Sequence, residues 1–188
     1  MLMHTVRGGQ SMKGKFMKAL VVVDFQNDFV NGTLGFEGAE SLTGVIAEKI
    51  RKCRAEGGKV LFTMDVHGKD YLETREGKAL PIPHCIEGTK WCDIYGGIAD
   101  MVLESDTVIK KHTFGSLELA DILSRGAFDE IELCGLVTDI CVLANAVLAR
   151  AAAPECHIVV DSSAVASPNK EAHQAALTAM KSQQIEVI

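Results

Sequence analysis

Continuous apolar runs alternate with segments of helical period along most of this chain. Lys18-Ala19-Leu20-Val21-Val22-Val23 shows no polar alternation, the pattern of a strand covered on both faces. Ser41 to Gly57 sets Leu42, Val45, Ile46 and Ile50 on one helical face and stops at Gly57-Gly58. Lys59 to Met64 reads as a second strand, and a long loop follows from Asp65 to about Tyr95. Then come a short strand at Thr107–Lys110, a helix from Leu117 to Arg125 and a strand at Glu130–Cys134. An Ala-rich helix from Asp139 to Ala153, a strand at His157–Val160, a helix from Asn169 to Ser182 and a last strand at Ile185–Ile188 complete the order. Strand–helix alternation of this kind predicts an α/β protein with a mostly parallel sheet and helices on both faces.

Ligands of such sheets bind at the carboxyl ends of the strands. Asp24, Asp65, Lys111 and Cys141 each fall at or just past a predicted strand end. Cys141 stands in Gly135-Leu136-Val137-Thr138-Asp139-Ile140-Cys141-Val142, between a strand and a helix start. The free N–H groups and positive end of a helix favour the nucleophilic thiolate and can hold an oxyanion. Asp24 is placed to take a proton from a nearby thiol and return it to a leaving amine. An aspartate there equally caps a turn. Lys111 would steady both anions. Lys110 competes for that role, because one of the pair should point away. Asp65-x-His67 with His84 across the loop supplies one carboxylate and two imidazoles, a set suited to Zn²⁺, Fe²⁺ or Mn²⁺. The same three residues could instead hold the loop by hydrogen bonds alone.

Composition narrows the field. The chain has 188 residues, 47% of them hydrophobic, enough for one domain with a sizeable core. Its net charge of -6 argues against a general nucleic-acid binder, and no apolar run approaches the ~20 residues needed to span a bilayer. The six cysteines show neither a CxxC pair nor a zinc-finger spacing, so reduced thiols and a cytoplasmic setting are expected. Residues 1–16 lack a secretory apolar core and read as an extension, with Met17 an alternative start, which leaves 17–188 as a single domain.

Five motifs in this order resemble the nicotinamidase/isochorismatase-like cysteine hydrolases: Val22-Val23-Asp24-Phe25-Gln26-Asn27-Asp28-Phe29, Asp65-Val66-His67, His84-Cys85-Ile86-Glu87-Gly88-Thr89, Lys111-His112-Thr113-Phe114-Gly115-Ser116 and Gly135 to Val142. The resemblance implies a three-layer α/β/α sandwich and a triad of Asp24, Lys111 and Cys141. It also implies a cis Leu136–Val137 bond, with the Val137 and Cys141 N–H groups as an oxyanion hole. The Asp65, His67 and His84 set is similar to the metal site of the nicotinamidase branch, with Zn²⁺ the first choice. The activity implied is that of an amidohydrolase cleaving a small carboxamide, nicotinamide foremost, through a Cys thioester. Phe25, Phe29, Trp91 and Phe114 are the candidates to pack the substrate ring, with core packing expected of at least one of them. Other expected alternatives are an isochorismatase-type or other small-amide hydrolase and a catalytically silent binding member. A homo-oligomer is expected, with no nucleic-acid or membrane partner. Two departures bear on the pocket wall: Pro81-Ile82-Pro83-His84-Cys85 lacks the tryptophan often found there, and no Tyr-Ser-x-Phe follows Lys111.

Overall fold

The computed structural model of the protein describes residues 16–188, so the expected extension, Phe16 aside, lies outside the described residues. Six parallel strands form one sheet in the order β3-β2-β1-β4-β5-β6. They are β1 (Lys18–Val23), β2 (Lys59–Asp65), β3 (Thr107–Lys111), β4 (Glu130–Leu136), β5 (His157–Ala166) and β6 (Glu186–Val187). The principal helices are α2 (Leu42–Ala55), α5 (Leu117–Arg125), α6 (Leu143–Ala152) and α7 (Lys170–Ser182). Three short ones sit in the connections: α1 (Asn27–Val30), α3 (Arg75–Ala79) and α4 (Gly96–Ala99).

The period-2 geometry of β1 sorts the core into two halves. Ala19, Val21 and Val23 face α5, α6 and α7 through Leu119, Leu123, Ala146, Ala149, Leu177 and Met180. Leu20 and Val22 face the α2 side, where Leu42, Ile46, Ile50 and Cys53 recur at helical spacing. Both faces of β1 are thus dry, which explains its unbroken apolar run. Helix starts follow their caps. Ser116 Oγ accepts from the Leu119 N–H at 3.1 Å, and Asn169 Oδ1 accepts from the Ala172 N–H at 2.9 Å.

Three stretches differ from the sequence expectation. The loop after β2 is not structureless: a 3₁₀ turn (Tyr71–Glu73) leads into α3, capped by Thr74 Oγ1, which accepts from the Gly77 N–H at 2.9 Å. A five-residue helix is too short to show a period. β5 runs six residues past Val160, through a register shift between Leu133 and Gly135, because Asp161, Ser162 and Ser163 break the apolar pattern without ending the strand. Thr138–Val142 is a π-turn, and α6 proper begins only at Leu143.

Candidate active site

Strand register brings the reactive groups together. Val23 lies opposite Thr63 on β2 and Gly135 on β4, so Asp24 emerges at the middle of the sheet's carboxyl edge. Asp65 lies opposite Lys111. Gly135 has φ of 114°, and a Cβ there would meet the Val23 carbonyl at 2.0 Å. That close approach is open only to glycine. Asp24 itself has φ of 44°, a left-handed conformation rare outside glycine. Its N–H donates to the Thr63 carbonyl (3.1 Å), and Thr63 Oγ1 donates to Asp24 Oδ1 (2.7 Å).

Lys111 Nζ lies 2.7 Å from Asp24 Oδ2. The two form a buried ion pair. The same ammonium donates to the Thr113 carbonyl (2.9 Å) and lies 3.6 Å from Cys141 Sγ and 3.4 Å from Asp65 Oδ1. Asp24, Lys111 and Cys141 are 0%, 4% and 4% exposed. Lys110 points the other way and pairs with Glu87 at 2.9 Å on the surface. Leu136–Val137 is cis. The Ile140 and Val142 N–H groups both return to the Val137 carbonyl at 3.2 Å and close the turn that carries the thiol.

Electrostatics revise one expectation. A helix start alone would favour thiolate. Instead burial, and then the Asp24 charge, push the Cys141 thiol well up, and Lys111 offsets only part of this. Burial raises Asp24 too, against the pull of Lys111. Burial would lower Lys111, but the facing carboxylates and sulfur raise it and keep the ammonium charged. Burial thus disfavours the anionic form of both groups, against the pull of Lys111.

Beside this trio, Asp65 turns its other oxygen to the histidines: Oδ2 is 3.0 Å from His67 Nε2 and 3.6 Å from His84 Nε2. Glu76, which the sequence did not single out, joins them from α3, with Oε1 3.6 Å from His67 Nε2 and 3.9 Å from His84 Nε2. One donor atom from each of the four lies within 4.8 Å of all the others. The loop is pinned by the His67 N–H donating to the Cys85 carbonyl (3.0 Å) and the Glu87 N–H to the His67 carbonyl (2.9 Å). His84 Nδ1 sits 2.8 Å from the Ile82 carbonyl, so its N–H donates there and Nε2 is left as the free lone pair. Burial and then the Asp65 charge raise Glu76, whereas Asp65 is drawn down, its burial outweighed by His67, His84 and Lys111. Two carboxylates and two imidazoles converging on one point fit a divalent metal ion.

Gln26, fully buried, ties this region to the sheet. Its side-chain amide accepts from the Asp65 N–H (2.7 Å) and donates to the Asp65 and Cys92 carbonyls (2.8 and 2.7 Å). Of the aromatic candidates, Phe25 is only 1% exposed and packs edge-on against Tyr95 in the α2-side core. Phe25 is thus packed in the core, the place expected of at least one of the four. Phe29 lies against His84, with ring centres 5.7 Å apart, and Trp91 and Phe114 are partly exposed. A cavity of about 380 Å³ opens beside the donors, lined by His67, Glu76, His112 and Thr113 among others. A larger one of about 720 Å³ lies at the opposite edge of the sheet, near Gly58, Leu103 and Phe128, and holds none of these groups. There Arg54 and Arg125 are already paired with Asp106 and Asp121.

Residues 18–188 match the model of the isochorismatase domain. The chain belongs to the isochorismatase family. It is 31% identical over 173 residues to an uncharacterized isochorismatase family protein, PncA, of Bacillus subtilis, covering 86% of this chain and 92% of that one. It is 27% identical over 186 residues to the nicotinamidase/pyrazinamidase of Mycobacterium tuberculosis, covering 92% and 98%. Among solved structures, the pyrazinamidase of Pyrococcus horikoshii in complex with zinc superposes with a TM-score of 0.80 at 27% identity, over 91% of this chain and 98% of that one. The α/β/α architecture is thus that of the family. All six cysteines are free, and no helix among the described residues is long and apolar enough to cross a membrane.

Proposed function

We propose that the protein hydrolyses small carboxamides, nicotinamide foremost, to the acid and ammonia with Cys141 as the nucleophile. The observation that carries this reading is one ammonium, Lys111, lying 2.7 Å from a buried carboxylate and 3.6 Å from a buried thiol, beside a four-donor cluster. Relatives named as nicotinamidase and pyrazinamidase support the choice of substrate.

In this reading Asp24 takes the proton of Cys141, and Lys111 stabilises the resulting thiolate. The sulfur attacks the amide carbonyl carbon, and the Val137 and Cys141 N–H groups receive the negative oxygen. As the tetrahedral species collapses, Asp24 passes its proton to the nitrogen, ammonia leaves, and a thioester remains. Asp24 then takes a proton from water, whose oxygen attacks the thioester. The acid departs and the proton returns to sulfur. Asp65, His67, Glu76 and His84 would hold the metal, with Zn²⁺ preferred and Fe²⁺ or Mn²⁺ as alternatives. Such an ion supplies Lewis acidity that fixes a ring nitrogen or water when bound. Phe29, Trp91 and Phe114 flank the ring.

The test is ammonia release from nicotinamide, pyrazinamide and aliphatic amides, with metal content read by elemental analysis. Turnover of the aromatic amides above the aliphatic ones, with a divalent ion in the purified protein, is expected. Absence of ammonia from every amide would contradict the reading.

A further inference from the structure

We propose that Asn145 is a positioning residue: its buried amide sets the Cys141 nucleophile against Lys111. This rests on the reading of Cys141 as the attacking group. Asn145 is 0% exposed, one residue from Ala146 in the first half of α6. Its Nδ2 donates to the Cys141 carbonyl at 2.8 Å and to the Phe114 carbonyl at 3.1 Å. Its Oδ1 accepts from the Ser116 N–H at 3.0 Å. One amide thus clips the π-turn of Cys141 to the Phe114–Ser116 segment, two stretches well separated in sequence.

That second segment also holds Lys111. The Thr113 carbonyl, one residue before Phe114, accepts from the Lys111 ammonium at 2.9 Å. Sulfur and ammonium therefore stand on separate elements, β3 and the turn after β4. The path joining them runs from Thr113 through Phe114 and Asn145 to Cys141. The far end of the segment is fixed as well, because Ser116 Oγ caps α5. Packing alone does not call for an amide here. The neighbouring α6 core positions Ala146 and Ala149 are small and apolar, and a buried polar side chain is costly unless its bonds are made. Asn145 makes three, all to backbone of the site. Its hydrogen bonds all go to backbone, none to the sulfur, and it does not line the cavity beside the donors, so it acts through the groups that it orients.

Steady-state kinetics of Asn145→Ala, Asn145→Ser and a control decide the matter. Ile46→Val is the control, a buried α2 position on the other face of the sheet. Misplacement on the order of 1 Å costs about 100-fold, so Asn145→Ala is expected to lower kcat for nicotinamide about 10- to 100-fold, with KM within about 3-fold. Asn145→Ser restores one donor to the Cys141 carbonyl and should recover part of the loss. Ile46→Val, compared at a matched fraction folded, should keep kcat within about 2-fold. Asn145→Ala with wild-type kcat, or with a loss no larger than its unfolded fraction, would overturn the proposal. If Asn145→Ala does not fold, Asn145→Ser decides: a fall in kcat of about 3- to 10-fold supports the proposal and an unchanged kcat overturns it. If the wild type releases no ammonia, the proposed reaction fails and this inference is read from iodoacetamide labelling of Cys141, followed by peptide mass. Labelling slowed about 10-fold in Asn145→Ala is expected, and an unchanged rate overturns the proposal.

Discussion

Two ionic clusters share this sheet and are built on opposite plans. Towards the amino edge, Lys18 bridges Glu130 and Glu132 at 2.9 and 2.6 Å, and Lys49 of α2 bridges Glu132 and Asp161 at 2.6 and 2.5 Å. Each of those carboxylates has an ammonium partner. At the carboxyl edge a single ammonium, Lys111, faces both Asp24 and Asp65, while Glu76 lies beside two imidazoles and the Asp65 carboxylate. The titration behaviour follows. Glu130 and Asp161 are drawn below the usual carboxylate range, their burial outweighed by the lysine bonds. Asp24 and Glu76 are raised, chiefly by burial. The same residue types therefore make a balanced brace in one place and the proposed reactive centre in the other. Unmatched negative charge there favours a bound cation and a carboxylate able to take a proton.

Substitutions can break this contrast. Asp24→Asn removes the proton acceptor and should lower kcat about 10²- to 10⁴-fold while circular dichroism stays native. A rate near wild type would move the base elsewhere. Glu76→Gln keeps the shape of α3 but weakens a donor. Metal affinity, measured by titration with a competing chelator, should fall about 10- to 100-fold, and unchanged affinity would leave Glu76 outside the coordination set.

The balanced cluster should answer differently. Lys49→Met should cost about 1–2 kcal/mol in urea unfolding, discounted because Lys49 is partly exposed, and should leave kcat within about 2-fold. A large loss of kcat would erase the distinction between the two clusters. The smallest effect concerns His157, raised by its bonds to Glu186 at 2.5 Å and Glu130 at 3.2 Å against some desolvation. A raised histidine stabilises the fold fully below its unfolded value of about 6.5 and loses that contribution as pH rises through the folded value. His157→Ala should therefore cost a few tenths of a kcal/mol, at about this scale for a half-exposed pair, in acid and nothing well above neutrality. A stability difference that grows with pH would reverse the assignment.

Strand ends were legible from the sequence because continuous apolar runs mark them, and the proposed catalytic groups sit on those ends. Residue pattern alone left Lys110 and Lys111 open and the resemblance favoured Lys111; in the structure Lys111 lies opposite Asp65, whereas Lys110 alternates outward to Glu87. Glu76 was hidden because α3, at five residues, shows no period. Asn145 was hidden because a polar residue in an Ala-rich helix reads as solvent-facing until its three backbone partners are seen. The thiol departs from expectation for a reason of magnitude. The field of a helix end is worth at most about 2 kcal/mol, and full burial beside a carboxylate outweighs it. That one of the four aromatics would pack in the core was expected, but which one needed the structure: Phe25 is 1% exposed.

Whether the Cys141 sulfur does the chemistry at the unbalanced edge decides everything else. Ammonia release from nicotinamide should be compared between wild type and Cys141→Ala at equal metal content and equal folded fraction. A rate at background for Cys141→Ala, with the fold and metal retained, is the expected result. Turnover by Cys141→Ala at a rate comparable to wild type would contradict it.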